Sequence, residues 1–208
     1  MPLQNRVTPL GDIVAAPERG LFTGNRGILH DARTRTLLKR RWTSRAWLIC
    51  ALRYRDVRRT VMGPGGRTEL FFLDEATALA AGHRPCFFCR RAEAEEFQAR
   101  FPMDGGTARP KAGEIDRVLH AERLDAGRKR LHALITPPAD LPDGTMVLHR
   151  GGPHLILKRL VYPWTNAGYG APIAAPHTAE LVTPPSTVAT LRAGYRPVLH
   201  HSLSGGEG

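Results

Sequence analysis

Three cysteines in 208 residues are too few for a disulfide framework, and no stretch approaches the ~18 consecutive apolar residues of a membrane span. Acidic side chains are scarce as well: 19 Asp and Glu stand against 30 Lys and Arg, for a formal charge of +11 and a pI near 10.5. The opening "MPLQNRVTPLGDIV" lacks the basic-then-apolar order of a secretory signal. Together these absences predict a cytoplasmic chain, not inserted in a membrane, whose cysteines are thiols or metal ligands with no disulfide partner. Signatures of P-loop, serine-hydrolase, zincin and Rossmann chemistry are missing.

Arginine is abundant, supplying 26 of the 30 basic residues. Between Arg26 and Arg59 eleven Lys or Arg face only Asp31 and Asp56, so this segment carries +9 of the +11. Within it, "LLKRRWTSRAWLICALRYRDVRR" interleaves Trp42, Trp47 and Tyr54 with cations. Guanidinium groups neutralise phosphates and aromatic faces stack on bases, which suits DNA or RNA. Lys39, Arg40, Arg41, Trp42, Arg45, Trp47, Arg53 and Arg55 are the expected contacts. The alternative is a strand pair with core aromatics and solvated arginines.

The first 70 residues read as short strands and turns, with Leu48, Cys50, Leu52 and Tyr54 on one face of a strand spanning 47–54. A helix follows, with Asp74 as N-cap and Gly82 as its stop. "RRAEAEEFQARF" and "GEIDRVLHAERL" predict two more helices, the latter with Ile115, Val118, Leu119 and Glu122 on one face. "TMVLHRGGPHLILKRLVYPW" predicts a hairpin or meander turning at Gly151 and Gly152. The class expected is α+β: a short-stranded antiparallel sheet with a helix-knuckle-helix unit, then a smaller β-rich part. The expected divisions are 1–103, 104–138 with the linker "PMDGGTARPKAG", and 139–208 ending in the tail "SLSGGEG", the alternative being one compact domain overall. "DEATALAAGHRPCFFC" from Asp74 and "STVATLRAGYRPVLHH" from Ser186 also align, pairing Asp74 with Ser186, Gly82 with Gly194, and His83 with Tyr195. A duplicated unit explains this match, as does a generally favourable helix-to-strand turn.

"PCFFC" carries the metal expectation. Two thiolates separated by two residues can ligate one tetrahedral ion, and Arg84, Arg90 and Arg91 would offset their charge. "FFLDEATALAAGHRPCFFCRR" resembles the second half of the zinc-binding domain of Ada-type alkylation-repair proteins, and "TGNRGILHD" is similar to the opening of related units. The resemblance implies a Zn2+-bearing fold and DNA contact. The ligand pair that precedes the helix in that family is absent, so methyl transfer does not carry over. The remaining candidates to join Cys86 and Cys89 are Cys50 and His30, with His120 and His201 in reserve; a His30 ligand requires its strand to lie beside that of Cys50.

"LHAERL" and "PCFFC" also resemble, in reversed order, the two halves of the zinc-dependent cytidine deaminase signature, which would make Glu122 a proton shuttle. The leading expectation is a zinc-binding nucleic-acid-binding protein whose metal staples the fold. The alternatives are a zinc-dependent hydrolase or permuted deaminase using Cys86, Cys89, His120 and Glu122, and an interaction protein with no nucleic-acid ligand.

Overall fold

Gly and Pro interrupt the apolar runs every few residues, so most elements are short. The computed structural model describes residues 1–55, 60–102 and 109–204. Arg58 and Arg59, half of the linker and the last residues of the tail lie outside the described residues.

In the N-terminal half, β1 (Gln4–Val7) and β2 (Ile13–Ala15) form a hairpin, and β3 (Phe22–Asn25) follows. A small hairpin of β4 (His30–Asp31) and β5 (Thr36–Leu37) precedes β6 (Leu48–Ala51) and β7 (Leu70–Phe72). Next come α1 (Glu75–Ala80), β8 (Arg84–Pro85), α2 (Arg91–Arg100) and α3 (Ala112–Arg123). A two-stranded turn of β9 (Leu124–Asp125) and β10 (Arg128–Lys129) follows α3. The C-terminal part holds β11 (Met146–His149), β12 (Gly152–Leu157), β13 (Leu160–Thr165), β14 (Gly168–Tyr169), β15 (Ile173–Ala174), β16 (Glu180–Leu181) and α4 (Pro185–Arg192).

The α+β class holds, with sheets predominating. The first sheet has the order β2-β1-β7-β3-β6-β8 and is mixed, not antiparallel throughout, because β1–β7 and β6–β8 pair in parallel. The parallel β6–β8 pairing follows from α1, which carries the chain from β7 over to β8; a helical crossover returns a strand in the same direction. The second sheet, built around β14-β13-β12-β11-β16, is antiparallel. Its tight turns at Arg150–Gly151 and Lys158–Arg159 have positive φ at both central residues, the hairpin geometry whose twist matches that of the strands. Gly152 belongs to β12, not to the turn.

Both ends of α1 form as the sequence predicts. Asp74 accepts the Thr77 N–H at 2.9 Å and its hydroxyl at 2.7 Å. Gly82 has φ +88°, and a Cβ there would meet the Arg123 side chain at 2.6 Å, so conformation and space both require glycine. All six residues of α1 are buried. Small side chains let it sit between two cores. Ala78 and Leu79 join Val7, Ile49, Leu70, Phe72, Phe97, Ile115, Leu119, Leu191 and Tyr195, whereas Ala76 and Ala80 join Met146, Leu155, Tyr169 and Val182. Residues from all three expected divisions therefore share the first core. Fully burying a Leu, Ile or Phe contributes roughly 1.5–3 kcal/mol, so these clusters dominate stability.

Candidate metal centre

Strand register assembles the cysteines. Cys50 pairs with Thr23 of β3. On the other side of β6, the Arg84 N–H donates to Trp47 O and the Cys86 N–H to Ile49 O, which sets the knuckle beside Cys50. The chain then turns so that the Arg90 N–H reaches Cys86 O at 2.9 Å, bringing Cys89 back toward the same point. The Sγ atoms of Cys50, Cys86 and Cys89 all lie within 4.8 Å of one another, close enough to hold one metal ion. All three are free thiols.

The three thiols perturb one another's acidity. Hydrogen bonds from Cys50 and Cys89 lower the pKa of Cys86, and the Phe88 N–H adds another donor at 3.4 Å. Donation to Cys86 and Cys89, together with burial, raises the pKa of Cys50. One thiolate supported by neighbouring thiols is a ready starting point for a cation, which displaces the remaining protons as it binds.

The cysteines line a cavity of about 250 Å³, with Thr23, Asn25, Tyr54, Arg67, Glu69 and Phe88 among its other walls. Phe88 is 66% exposed. Its ring lies 5.0 Å from that of Tyr54, and the Arg55 guanidinium sits over both rings, at 5.3 Å from Tyr54 and 5.8 Å from Phe88. Among the cavity-lining residues Glu69 is the one acid, and its carboxylate accepts the Met62 N–H at 2.8 Å. The sequence names none of Thr23, Asn25, Arg67 and Glu69 as site residues: Thr23 and Asn25 reach the cysteines through the β3–β6 register, and Arg67 and Glu69 through the loop that precedes β7, neither of which a local motif reveals.

His30 stands elsewhere. Its Nδ1 lies 2.7 Å from the Thr68 hydroxyl and its Nε2 3.2 Å from Gly63 O, so both ring nitrogens are engaged. The condition for its joining the cluster is unmet, because β4 pairs with β5 whereas the partners of β6 are β3 and β8. The reserve histidines are also separate. His120 Nδ1 is 2.8 Å from Arg123, and the ring of His201 stacks on that of His200 at 4.0 Å. Among the described residues the metal-competent group is Cys50, Cys86 and Cys89.

Glu122 accepts both the N–H and the hydroxyl of Ser186 in the first turn of α4. It thereby occupies the capping role expected of Ser186, since Pro184 is the N-cap residue. The set Cys86, Cys89, His120 and Glu122 is not assembled. The arginines expected to offset thiolate charge have carboxylate partners instead: Arg84 with Asp116 and Arg90 with Glu75, both at 2.8 Å and both buried, and Arg91 with Glu95 on the surface.

Of the expected nucleic-acid contacts, Lys39, Arg40, Arg41, Arg45, Arg53 and Arg55 are exposed. Arg53 and Arg55 follow the strand that carries Cys50, whereas Arg41 and Trp42 line a second cavity. Trp47 is a correction: it is 2% exposed and held between the guanidiniums of Arg26 at 3.8 Å and Arg123 at 3.9 Å. No base can stack on it without displacing one of them. Among the described residues no helix is long and apolar enough to cross a membrane. No protein-family model, curated protein or solved structure matches the chain, so the likeness to Ada-type domains rests on the quoted motifs alone.

Proposed function

We propose that the protein is a zinc-binding, nucleic-acid-binding protein in which Cys50, Cys86 and Cys89 hold the ion. The reading is carried by the convergence of three sulfur atoms from two segments within 4.8 Å. Three thiolates suit zinc, and the ion would tie β8 and the knuckle to β6. With three protein ligands in the group, the fourth position falls to water or to a ligand entering the 250 Å³ cavity. The motif shared with Ada-type zinc domains supports the same ion. A reducing, cytoplasmic compartment would keep the thiols available.

Nucleic-acid binding is supported by the +11 charge and by the Tyr54, Phe88 and Arg55 platform at the rim of the metal cavity. The exposed Phe88 ring, with half-buried Tyr54 and a guanidinium beside it, favours stacking on unpaired bases, and Arg53 and Arg67 supply nearby positive charge. None of Lys39, Arg40, Arg41, Arg45, Arg53 and Arg55 is ion-paired among the described residues.

Two measurements test this reading. Fully reduced protein should carry one zinc per chain, falling to a small fraction in the Cys86→Ser, Cys89→Ser double variant; reduced protein that is folded and metal-free refutes the metal assignment. Affinity for single-stranded and duplex oligonucleotides should fall steeply with salt, with log K declining by about 0.9 per phosphate contact per log unit of salt on duplex. Salt-independent or absent binding refutes the nucleic-acid assignment.

A further inference from the structure

A second cavity, of about 370 Å³, lies among the Leu10–Asp12 turn, the Trp42–Trp47 segment and the turn joining β9 to β10. Five cations line it, Arg26, Arg41, Arg123, Arg128 and Lys129, against a single acid, Asp12. None of the five is ion-paired among the described residues. Its innermost cations are built into the fold: Arg26 and Arg123 are each 1% exposed.

Arg26 donates through Nε to His83 and through Nη1 to Gly11 O, and its buried Nη2 has no partner among the described residues. Arg123 donates through Nη1 to Gly82 O and through Nη2 to Arg45 O, and its Nε is likewise without a partner. Burying unneutralised like charges is costly, and leaving buried donors unmet adds to the cost. Burial and mutual repulsion push Arg26 down to about 9 and Lys129 down to about 7. An anion in the cavity would offset the charge penalty, because all five cations line one space against a single acid.

We propose that this cavity binds a phosphate monoester, supplied either by a free nucleotide or by the terminal phosphate of a nucleic-acid strand. The dianion would meet the guanidiniums of Arg26 and Arg123 and the Lys129 ammonium, since forked guanidinium donors match phosphate oxygens. Arg41 and Arg128, both exposed, form the rim. Half-buried Trp42, which also lines the cavity, offers an aromatic wall for the ring that the phosphate carries. The volume exceeds what a bare phosphate needs and falls within the ~300–1,000 Å³ of small-molecule sites. The inference does not depend on the metal, and it rests on the nucleic-acid reading only where the phosphate belongs to a strand end.

The test is calorimetric titration of the intact protein at fixed ionic strength. The probes are inorganic phosphate, AMP, adenosine, and one oligonucleotide with either a 5′-phosphate or a 5′-hydroxyl. Saturable 1:1 binding of AMP is expected, with adenosine at least tenfold weaker. Arg41→Ala combined with Arg128→Ala should weaken AMP at least tenfold while circular dichroism and melting stay as in the parent. Arg26→Gln should abolish binding; the rim variant keeps the test decisive if that substitution unfolds the chain. A preference for the 5′-phosphorylated strand over AMP identifies the strand end as the source, and the reverse preference identifies the free nucleotide. The proposal is overturned if phosphate, AMP and the phosphorylated strand all fail to saturate, if adenosine binds as well as AMP, or if the rim variant binds AMP like the parent. Loss of salt-dependent oligonucleotide binding alongside intact AMP binding would refute the nucleic-acid reading and leave this site standing.

Discussion

Replacing Glu75 by Gln should be among the most damaging single changes in this protein, although the two side chains have nearly the same shape. The Glu75 carboxylate is 1% exposed and accepts four hydrogen bonds: from Arg90 Nη1 at 2.8 Å, Arg90 Nη2 at 3.0 Å, the Tyr195 hydroxyl at 2.7 Å and the Val198 N–H at 3.0 Å. Tyr195 and Arg90 Nη1 donate to one carboxylate oxygen and Val198 and Arg90 Nη2 to the other, so Gln keeps acceptors for only one of these pairs, turns its NH2 toward the donors of the other, and leaves the Arg90 charge buried without its counterion. Removing one member of a buried ion pair costs about 3–5 kcal/mol. For a chain of this size each kcal/mol moves the melting temperature by roughly 2–4 °C, so a fall of about 6–20 °C is expected. Because the Arg90 N–H also closes the knuckle onto Cys86 O, zinc affinity should drop with stability. The assay is thermal unfolding of the reduced, zinc-loaded protein for Glu75→Gln, Arg90→Met and the double variant. The double variant should lose clearly less than the sum of the singles, since neither charge is then stranded. A loss under about 1 kcal/mol for Glu75→Gln, or strict additivity in the cycle, would show that the pair is not the structural unit inferred here.

Zinc at 100 times its dissociation constant should stabilise the folded chain by about 2.7 kcal/mol, a rise of roughly 5–11 °C in melting temperature that a chelator reverses and the Cys86→Ser, Cys89→Ser variant lacks. His83 is fully buried against Arg26, Arg123 and Lys129, and burial, followed by repulsion from these cations, holds its pKa well below the ordinary value. Below pH ~6.5 the unfolded chain therefore takes up a proton that the folded chain refuses. This contribution to stability is complete above that pH and declines by up to about 1.4 kcal/mol per pH unit as pH falls; denaturant midpoints of His83→Gln against the parent should converge toward acid pH. Glu122→Ala should cost about 0.5–2 kcal/mol by uncapping α4 and leave bound zinc unchanged; loss of zinc would place Glu122 in the metal site after all. Arg53→Ala with Arg55→Ala should flatten the salt dependence of oligonucleotide binding without lowering the melting temperature.

Periodicity and local punctuation made part of the fold legible. Asp74 and Gly82 bound α1, Ile115 and Leu119 mark the buried stripe of α3, and the run from Met146 to Thr165 forms its meander, because these features depend on residues a few positions apart. The parallel pairings did not declare themselves: β6–β8 depends on where α1 sets the chain down, and a two-residue strand such as Arg84–Pro85 has no pattern to read. At the candidate metal centre, Cys86 and Cys89 were visible as a local motif, while Cys50 needed the β6 register to join them and His30 was turned elsewhere by Thr68 and Gly63. Charge misled the reading most. Composition treats every arginine as solvated, yet Arg26, Arg84, Arg90 and Arg123 are buried, two facing carboxylates and two flanking Trp47. A planar cation that can stack on indole and fork onto carbonyls is the one charge the interior can accept in such numbers, and sequence alone does not distinguish it from a surface arginine.

The similarity between the two helix-Gly-x-Arg-Pro units acquires a physical meaning from how they pack. Both helices end on a left-handed glycine, Gly82 at φ +88° and Gly194 at φ +105°, so the shared Gly marks the same exit geometry. Beyond it the units diverge. Arg84–Pro85 becomes β8, whereas the segment after Tyr195 crosses the N-terminus of α1, where the Val198 and His200 N–H groups donate to Glu75 and Asp74. The caps differ too, since α1 is capped by its own Asp74 and α4 by Glu122 from α3. A duplicated pair that kept its ancestral packing would repeat its contacts, and these do not. The resemblance is therefore better explained by the turn itself: after a helix, glycine reverses the chain, a ring residue plugs the gap, and Arg-Pro starts an extended segment. In the first unit that segment delivers Cys86 to Cys50; in the second it covers two buried carboxylates, Asp74 and Glu75, of which Glu75 holds the knuckle's Arg90 in place.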